Sequence, residues 1–259
     1  MKSFDPTETR TIMRQKKICV LLPTYNNAGS LRDVLERVFP FCDDVIVVND
    51  GCTDQTSQIL DSFGDRITVV DYGKNHGKGY ALKQGFRKAL EQGFDYAITL
   101  DTDGQHYPED IPLFVEALET HPDALIVGSR NLQQENMPKD SAFANRFSNF
   151  WVRVQTGVKL PDTQTGYRLY PLQKLPKLSL VTSRYEAELE LLVLSAWKRV
   201  ELIPIDINVF YPEMKDRVTH FKPWRDITRI SLLNTVLCIM AFRFMWPIRW
   251  IKMIGGKKK

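Results

Sequence analysis

The sequence predicts an α/β protein built on a Rossmann-like, mostly parallel sheet flanked by helices. Short runs rich in Val, Ile and Leu recur along the first half, each followed by a stretch of helical periodicity. The notable polar clusters lie beyond the C-terminal ends of three strand-like runs, the rim where open α/β sheets bind ligands. The composition, 43% hydrophobic and 25% charged over 259 residues, suits one large domain with an ordinary core.

Taken in order, residues 1–15 are polar and charged, lack the apolar run of a secretory signal, and read as a flexible leader. A strand is expected at 18–22. The helix after it starts near residue 30 and turns Leu31, Val34, Leu35 and Val38 to one face. Strands at 45–48, 67–70, 96–100 and 124–127 alternate with helices at 54–63 (capped by Thr53 or Asp54), 78–92 and 111–119. Residues 188–194 form a further amphipathic helix. The catalytic unit is then 16–212, and 213–259 is a distinct segment. The four cysteines show no metal or disulfide spacing and read as reduced thiols of a cytoplasmic protein.

Chemistry concentrates at three strand exits. Asp101-Thr102-Asp103-Gly104-Gln105-His106 follows the strand at 96–100. Extended backbone puts alternate side chains on one side, so Asp101 and Asp103 can share one hard cation, Mg²⁺ or Mn²⁺, that holds a diphosphate. The plainer reading is an acidic loop leading into the helix start at Pro108-Glu109-Asp110. Asn49-Asp50-Gly51 suits a nucleoside contact through Asp50, or a simple turn. The glycine-rich 73–79 opens a helix and suits an anion, or a tight turn. It is not a P-loop, because Tyr72 and Gly79 stand where that pattern needs Gly and Ser or Thr.

Together these residues resemble the inverting family 2 glycosyltransferases of the GT-A fold. Leu22 to Asn27 is similar to their P-x-Y-N-E opening, Val48 to Asp54 to D-D-G-S-x-D, Asn75 to Gly79 to N-x-G-x-G, and Asp101 to Asp103 to the D-x-D motif. Gln105 and His106, Gly128-Ser129-Arg130 and Asp162 to Arg168 resemble the polyprenyl-phosphate and dolichyl-phosphate sugar transferase branch. Asn49 and Asn27 depart from the family acids, and the Q-x-x-R-W motif of processive synthases is missing.

The resemblance implies a metal-dependent transferase moving one sugar from a UDP- or GDP-linked donor to a lipid-linked acceptor. It implies donor contacts from Pro23, Tyr25, Asn27, Asp50, Asn75, Gly77, Lys78, Asp101 and Thr102. Metal contacts would come from Asp101, Asp103 and Gln105. Arg130 and Arg168 would be rim donors to the diphosphate, with Asp103 central to catalysis. Glu186 or Glu188 would serve as base for a hydroxyl acceptor, and Arg217 with Lys222 would meet a lipid phosphate. A lipid phosphate is already ionised and needs no strong base.

Charge is divided unevenly along the chain. From Lys215 onward there are 11 Lys and Arg against 2 acids, whereas the remainder carries 24 basic and 29 acidic residues. With Trp224, Trp246 and Trp250 among these cations, an apolar helix from 227 to about 246 suits the headgroup level of an anionic membrane. The reading is peripheral or monotopic attachment on the cytoplasmic face. The alternative is that 230–242 packs on the core, or spans a membrane in a helical oligomer. Nucleic acid is not expected as a partner, since no recognition motif accompanies the charge. A sugar nucleotidyltransferase and a non-catalytic lipid-surface adaptor are the rival classes.

Overall fold

The computed structural model describes residues 4–130, 139–175, 182–210 and 223–245. Its strands are β1 (Ile18–Thr24), β2 (Val45–Asn49), β3 (Thr68–Asp71), β4 (Tyr96–Thr99), β5 (Leu125–Arg130), β6 (Arg168–Pro171) and β7 (Leu202–Ile207). They form one sheet in the order β3-β2-β1-β4-β6-β5-β7. Only β6 runs against its neighbours, β4 and β5. The helices are α1 (Pro6–Gln15), α2 (Ala28–Val38), α3 (Thr56–Asp61), α4 (Lys78–Glu91), α5 (Ile111–Thr120), α6 (Lys139–Thr156), α7 (Glu186–Trp197) and α8 (Pro223–Met240). The mostly parallel sheet flanked by helices is therefore as expected.

Every residue of β1 is buried, which is why its sequence is apolar without alternation. Ile18, Val20 and Leu22 join a core with Leu31, Val34, Leu35 and Val38 of α2. Cys19 and Leu21 join the opposite core with Ala81, Leu82 and Phe86 of α4. Gly85 lets α4 lie directly on the sheet, since a Cβ there would stand 2.3 Å from Leu21 Cδ1.

The expected flexible leader is corrected. Residues 6–15 are helical, and the Asp5 side chain accepts from Thr7 N at 2.8 Å to cap them. Met13 is 1% exposed and belongs to the core, while Arg14 pairs with Asp43 at 2.7 Å. Only Ile12 and Met13 of α1 are large and apolar, too few to make a visible stripe. The 54–63 helix is shorter than expected, starting at Thr56. Asp54 still bonds Thr56 N at 3.0 Å.

The C-terminal helix is present, and it is docked on the body. Leu237 of α8 packs with Val152 of α6 and with Leu189 and Val193 of α7. Gln155 Nε2 donates to Asn234 Oδ1 at 2.9 Å across the same seam. The opposite side of α8 leaves Leu232, Val236, Ile239 and Met240 exposed, and Phe242 follows in the short π-helix Ala241–Met245. No helix of the described residues is long and apolar enough to cross a membrane.

Met13→Ala should lower unfolding free energy by about 2–5 kcal/mol in urea denaturation, the usual cost of truncating a buried Met. An unchanged midpoint would return α1 to the status of a loose leader.

Candidate active site

The sheet brings the polar loops together by direction alone. β1, β2, β4 and β5 run the same way, so the loops after Thr24, Asn49 and Thr99 leave one edge and β5 ends there at Arg130. Antiparallel β6 begins at that edge, with Arg168 opposite Thr99, and so delivers residues 162–167 there as well. At the end of β7, Asn208 N and Nδ2 donate to Asp110 at 2.6 and 2.8 Å, and Phe210 N donates to Gln105 O at 2.8 Å. His106 and Val209 form a β-bridge. The loop bearing Asp101 to His106 is thus held from both sides.

At the centre of this rim stands one ammonium between two carboxylates. Lys78 Nζ lies 2.6 Å from Asp101 Oδ1 and 3.0 Å from Glu188 Oε2. Burial opposes the lysine's charge, but Asp101 and then Glu188 outweigh it and raise its pKa. Burial likewise opposes the Asp101 charge, and Lys78 holds that carboxyl below its usual value. Asp103 goes the other way, raised by burial and by the Asp101 charge beside it. Its Oδ1 accepts from Gln105 N at 3.0 Å. Two buried atoms here have no hydrogen-bond partner, His106 Nδ1 and Glu188 Oε1. Burial lowers the His106 pKa, so its ring is neutral at neutral pH. Glu186, one residue into α7, is buried with Oε2 also lacking a partner.

Several expected ligand contacts are engaged elsewhere. Asp50 is 3% exposed, and its carboxylate accepts four bonds, from Tyr72 Oη, Asn75 Nδ2, His76 N and Gly77 N, at 2.8–2.9 Å. It ties the 72–77 loop to the end of β2, and Asn75 shares in that tie. Thr102 is buried, accepting from Asn27 Nδ2 at 2.9 Å and meeting Thr24 Oγ1 at 3.0 Å. Both Thr102 and Asn27 therefore knit β1 to the 101–106 loop. Pro23 is buried opposite Val48, and Tyr25 is half-buried at the rim.

The two arginines are also corrected. Arg130 forks onto Asp162 at 2.6 and 3.1 Å, and Asn145 completes that carboxylate at 2.6 Å. Arg168 is 0% exposed, and its guanidinium donates to the carbonyls of Thr165, Glu188 and Thr163 and to Tyr170 Oη. It fastens the 163–165 loop to α7 from beneath the rim. Arg217 and Lys222 lie outside the described residues.

Sequence reasoning did not single out Gly166. A Cβ there would stand 2.6 Å from both Asp101 Oδ2 and Lys78 Nζ. Its place in the 162–168 motif was the available signal.

The family model for Glycosyl transferase family 2 matches residues 19–175, more than half of the chain. The chain belongs to glycosyl transferase family 2. It is a glycosyltransferase, which removes the nucleotidyltransferase and adaptor readings. Among curated relatives, a UDP-N-acetylglucosamine–dolichyl-phosphate N-acetylglucosaminyltransferase of Methanococcus voltae is 28% identical over 222 residues, 78% of this chain and 88% of the relative. A polyprenol monophosphomannose synthase of Mycolicibacterium smegmatis is 31% identical over 185 residues, 68% of each chain. The fold is shared with glucosyl-3-phosphoglycerate synthase of Mycobacterium tuberculosis, solved with UDP. The TM-score is 0.64 at 17% identity, covering 93% of this chain and 85% of that one.

Arg168→Lys in this transferase should cost about 3 kcal/mol or more in thermal or urea unfolding, because an ammonium cannot serve the forked set of acceptors. UDP affinity of the folded protein should change by less than about threefold, under about 0.7 kcal/mol. A large loss of UDP affinity with stability intact would restore it as a phosphate contact.

Proposed function

We propose that this family 2 glycosyltransferase transfers one sugar, with inversion and with a divalent cation, from a UDP- or GDP-linked donor to a polyprenyl phosphate at the cytoplasmic face of a membrane. The observation that carries this reading is the meeting of Asp101, Asp103, Lys78 and Glu188 at one sheet edge. It occurs in a chain whose relatives are named for transfer to dolichyl, polyprenol or undecaprenyl phosphate.

The residues present fit Mg²⁺ or Mn²⁺. Burial and then the neighbouring Asp101 charge raise the pKa of Asp103, so a further cation is welcome beside it, and Gln105 adds a neutral oxygen donor two positions on in the chain. Among the described residues no three His, Cys, Asp or Glu side chains form a closed metal cage. One or two carboxylates completed by substrate phosphates is the usual mode for Mg²⁺. When bound, the ion neutralises charge on the departing nucleoside diphosphate. The acceptor phosphate oxygen attacks the anomeric carbon as the bond to the diphosphate oxygen breaks, and the electron pair leaves with the nucleotide. Pro23 and Tyr25 serve the donor, and Lys78 serves its diphosphate. Arg217 and Lys222 serve the lipid phosphate, in keeping with the tethering of Phe210 to Gln105 shortly before them in the chain. A lipid hydroxyl or glycan acceptor is the second reading, favoured by the unpartnered Glu188 Oε1 and Glu186 Oε2 as sites for a base.

Membrane attachment is supported by where the apolar surface lies. Seven of the nine exposed large hydrophobic residues among those described are Phe147 and Phe150 of α6 and Leu232, Val236, Ile239, Met240 and Phe242 on or just after α8. These helices pack on each other, and exposed Arg146, Arg153 and Arg243 accompany them.

A panel of nucleotide sugars should yield one glycosylated lipid, identified by mass spectrometry, with polyprenyl phosphate as acceptor. Product only with hydroxyl lipids would select the second reading. Asp103→Ala should cut transfer by about 10²-fold or more with circular dichroism unchanged; full activity would remove the metal assignment. The double variant Phe150→Ser, Ile239→Ser should weaken co-sedimentation with anionic vesicles by about tenfold or more, since each buried side chain contributes about 1.5–3 kcal/mol. Unchanged binding would reject the α6–α8 face.

A further inference from the structure

The rim holds a cation of its own, and this bears on when a metal can enter. Lys78 occupies the space between Asp101 and Glu188, with 16% of its side chain exposed. This placement is built rather than incidental. Lys78 opens α4 directly after Gly77, whose φ is 100°. A Cβ on Gly77 would lie 2.6 Å from Arg184 Cγ, and one on Gly79 would lie 2.3 Å from Ala187 Cβ. A Cβ on Gly166 would lie 2.6 Å from the ammonium itself. Three glycines thus admit the start of α4 to the start of α7 and to the 162–166 loop. The glycine-rich segment, which from sequence suits an anion or a tight turn, is here a device for close approach. Its Gly77 N–H is already given to Asp50.

We infer that Lys78 is a resident counter-cation which holds Asp101 and Glu188 in place of a divalent ion, and that it yields Asp101 only when a nucleotide diphosphate arrives to take the ammonium. Metal entry is then coupled to donor binding. The inference rests on the metal reading above.

The physical reason is exclusion. A divalent ion ligated by Asp101 at about 2.0–2.2 Å from its oxygen would stand within about 5 Å of the ammonium, and both carry positive charge. Without a diphosphate an ammonium that left Asp101 would keep Glu188 alone. Leaving Asp101 would strand charge in a half-buried site. With a diphosphate present, the phosphate oxygens offer the ammonium a partner, and Asp101 is released to the ion. Metal and donor therefore each raise the affinity of the other by the same factor, as linkage requires. Lys78 acts here as a positioning residue, through Asp101.

The test is Mn²⁺ binding by calorimetry and by electron paramagnetic resonance on the full chain, with and without UDP. For the unmodified protein, UDP should tighten Mn²⁺ binding at least tenfold. In Lys78→Met, Mn²⁺ alone should bind at least tenfold more tightly than in the unmodified protein, and the UDP-dependent gain should fall below threefold. Lys78→Arg retains the charge and serves as the control for fold and field; it should keep Mn²⁺ alone as weak as in the unmodified protein. Mn²⁺ affinity of folded Lys78→Met within threefold of the unmodified protein, or tighter binding with the UDP gain undiminished, overturns the exchange while leaving the metal reading standing. A parallel titration with GDP covers a GDP-linked donor, and failure of every form to bind Mn²⁺ with either nucleotide overturns both.

Discussion

The contact on which this site depends is the ammonium of Lys78 between the carboxylates of Asp101 and Glu188. Those three side chains come from the start of α4, the exit of β4 and the first turn of α7, elements far apart in the chain. A half-buried ammonium without partners is costly, and so are two carboxylates without a cation, so the cluster is stable only when complete. The same requirement sets the backbone. Gly77, Gly79 and Gly166 stand where a single carbon would push the helices or the loop apart. Below the cluster, Arg168 donates to the carbonyl of Glu188 and to the loop at 163–165, so the base of the site is fastened by hydrogen bonds to backbone.

Much of the fold was legible because β1, β2 and β4 are buried on both faces and read as unbroken apolar runs. The position of the site was legible too, since parallel strands must leave their loops on one edge. What stayed hidden were interactions whose partner is a main-chain atom or a residue distant in sequence. Asp50 satisfies two amides and two side chains of the 72–77 loop, and from sequence that carboxylate looks like a ligand contact. Arg130 meets Asp162, 32 positions away, and nothing in either local sequence announces the pair. Antiparallel β6 was missed for a related reason. It has four residues and opens on a charged Arg168, which a propensity argument assigns to a loop. Packing of that arginine's donors against carbonyls overrides the propensity.

α8 shows why apolar pattern alone left two destinations open. Its Leu237 is in the small core with α6 and α7, and Asn234 on the same side bonds Gln155. The other side carries Leu232, Val236 and Ile239 into the open. A helix apolar all round needs an apolar medium all round. The protein supplies only one half of it. Docking on the core and the proposed attachment to a lipid surface would thus use different faces, and α6, with Phe147 and Phe150 exposed beside it, extends the uncovered half.

The state of Glu188 bears on the acceptor. One oxygen of its carboxylate lies 3.0 Å from the Lys78 ammonium, so a proton taken there would have to displace that ion pair. A hydroxyl acceptor would have to give its proton to Glu188 or to Glu186. An ionised phosphate gives up no proton, and the difficulty it brings is the opposite one, added negative charge beside Asp103. Cations answer that difficulty, and the proposed exchange places two there at the moment of transfer, the divalent ion on the aspartates and the ammonium on the diphosphate. On the proposed reading an anionic acceptor would need both cations in place, whereas a neutral hydroxyl would need a base.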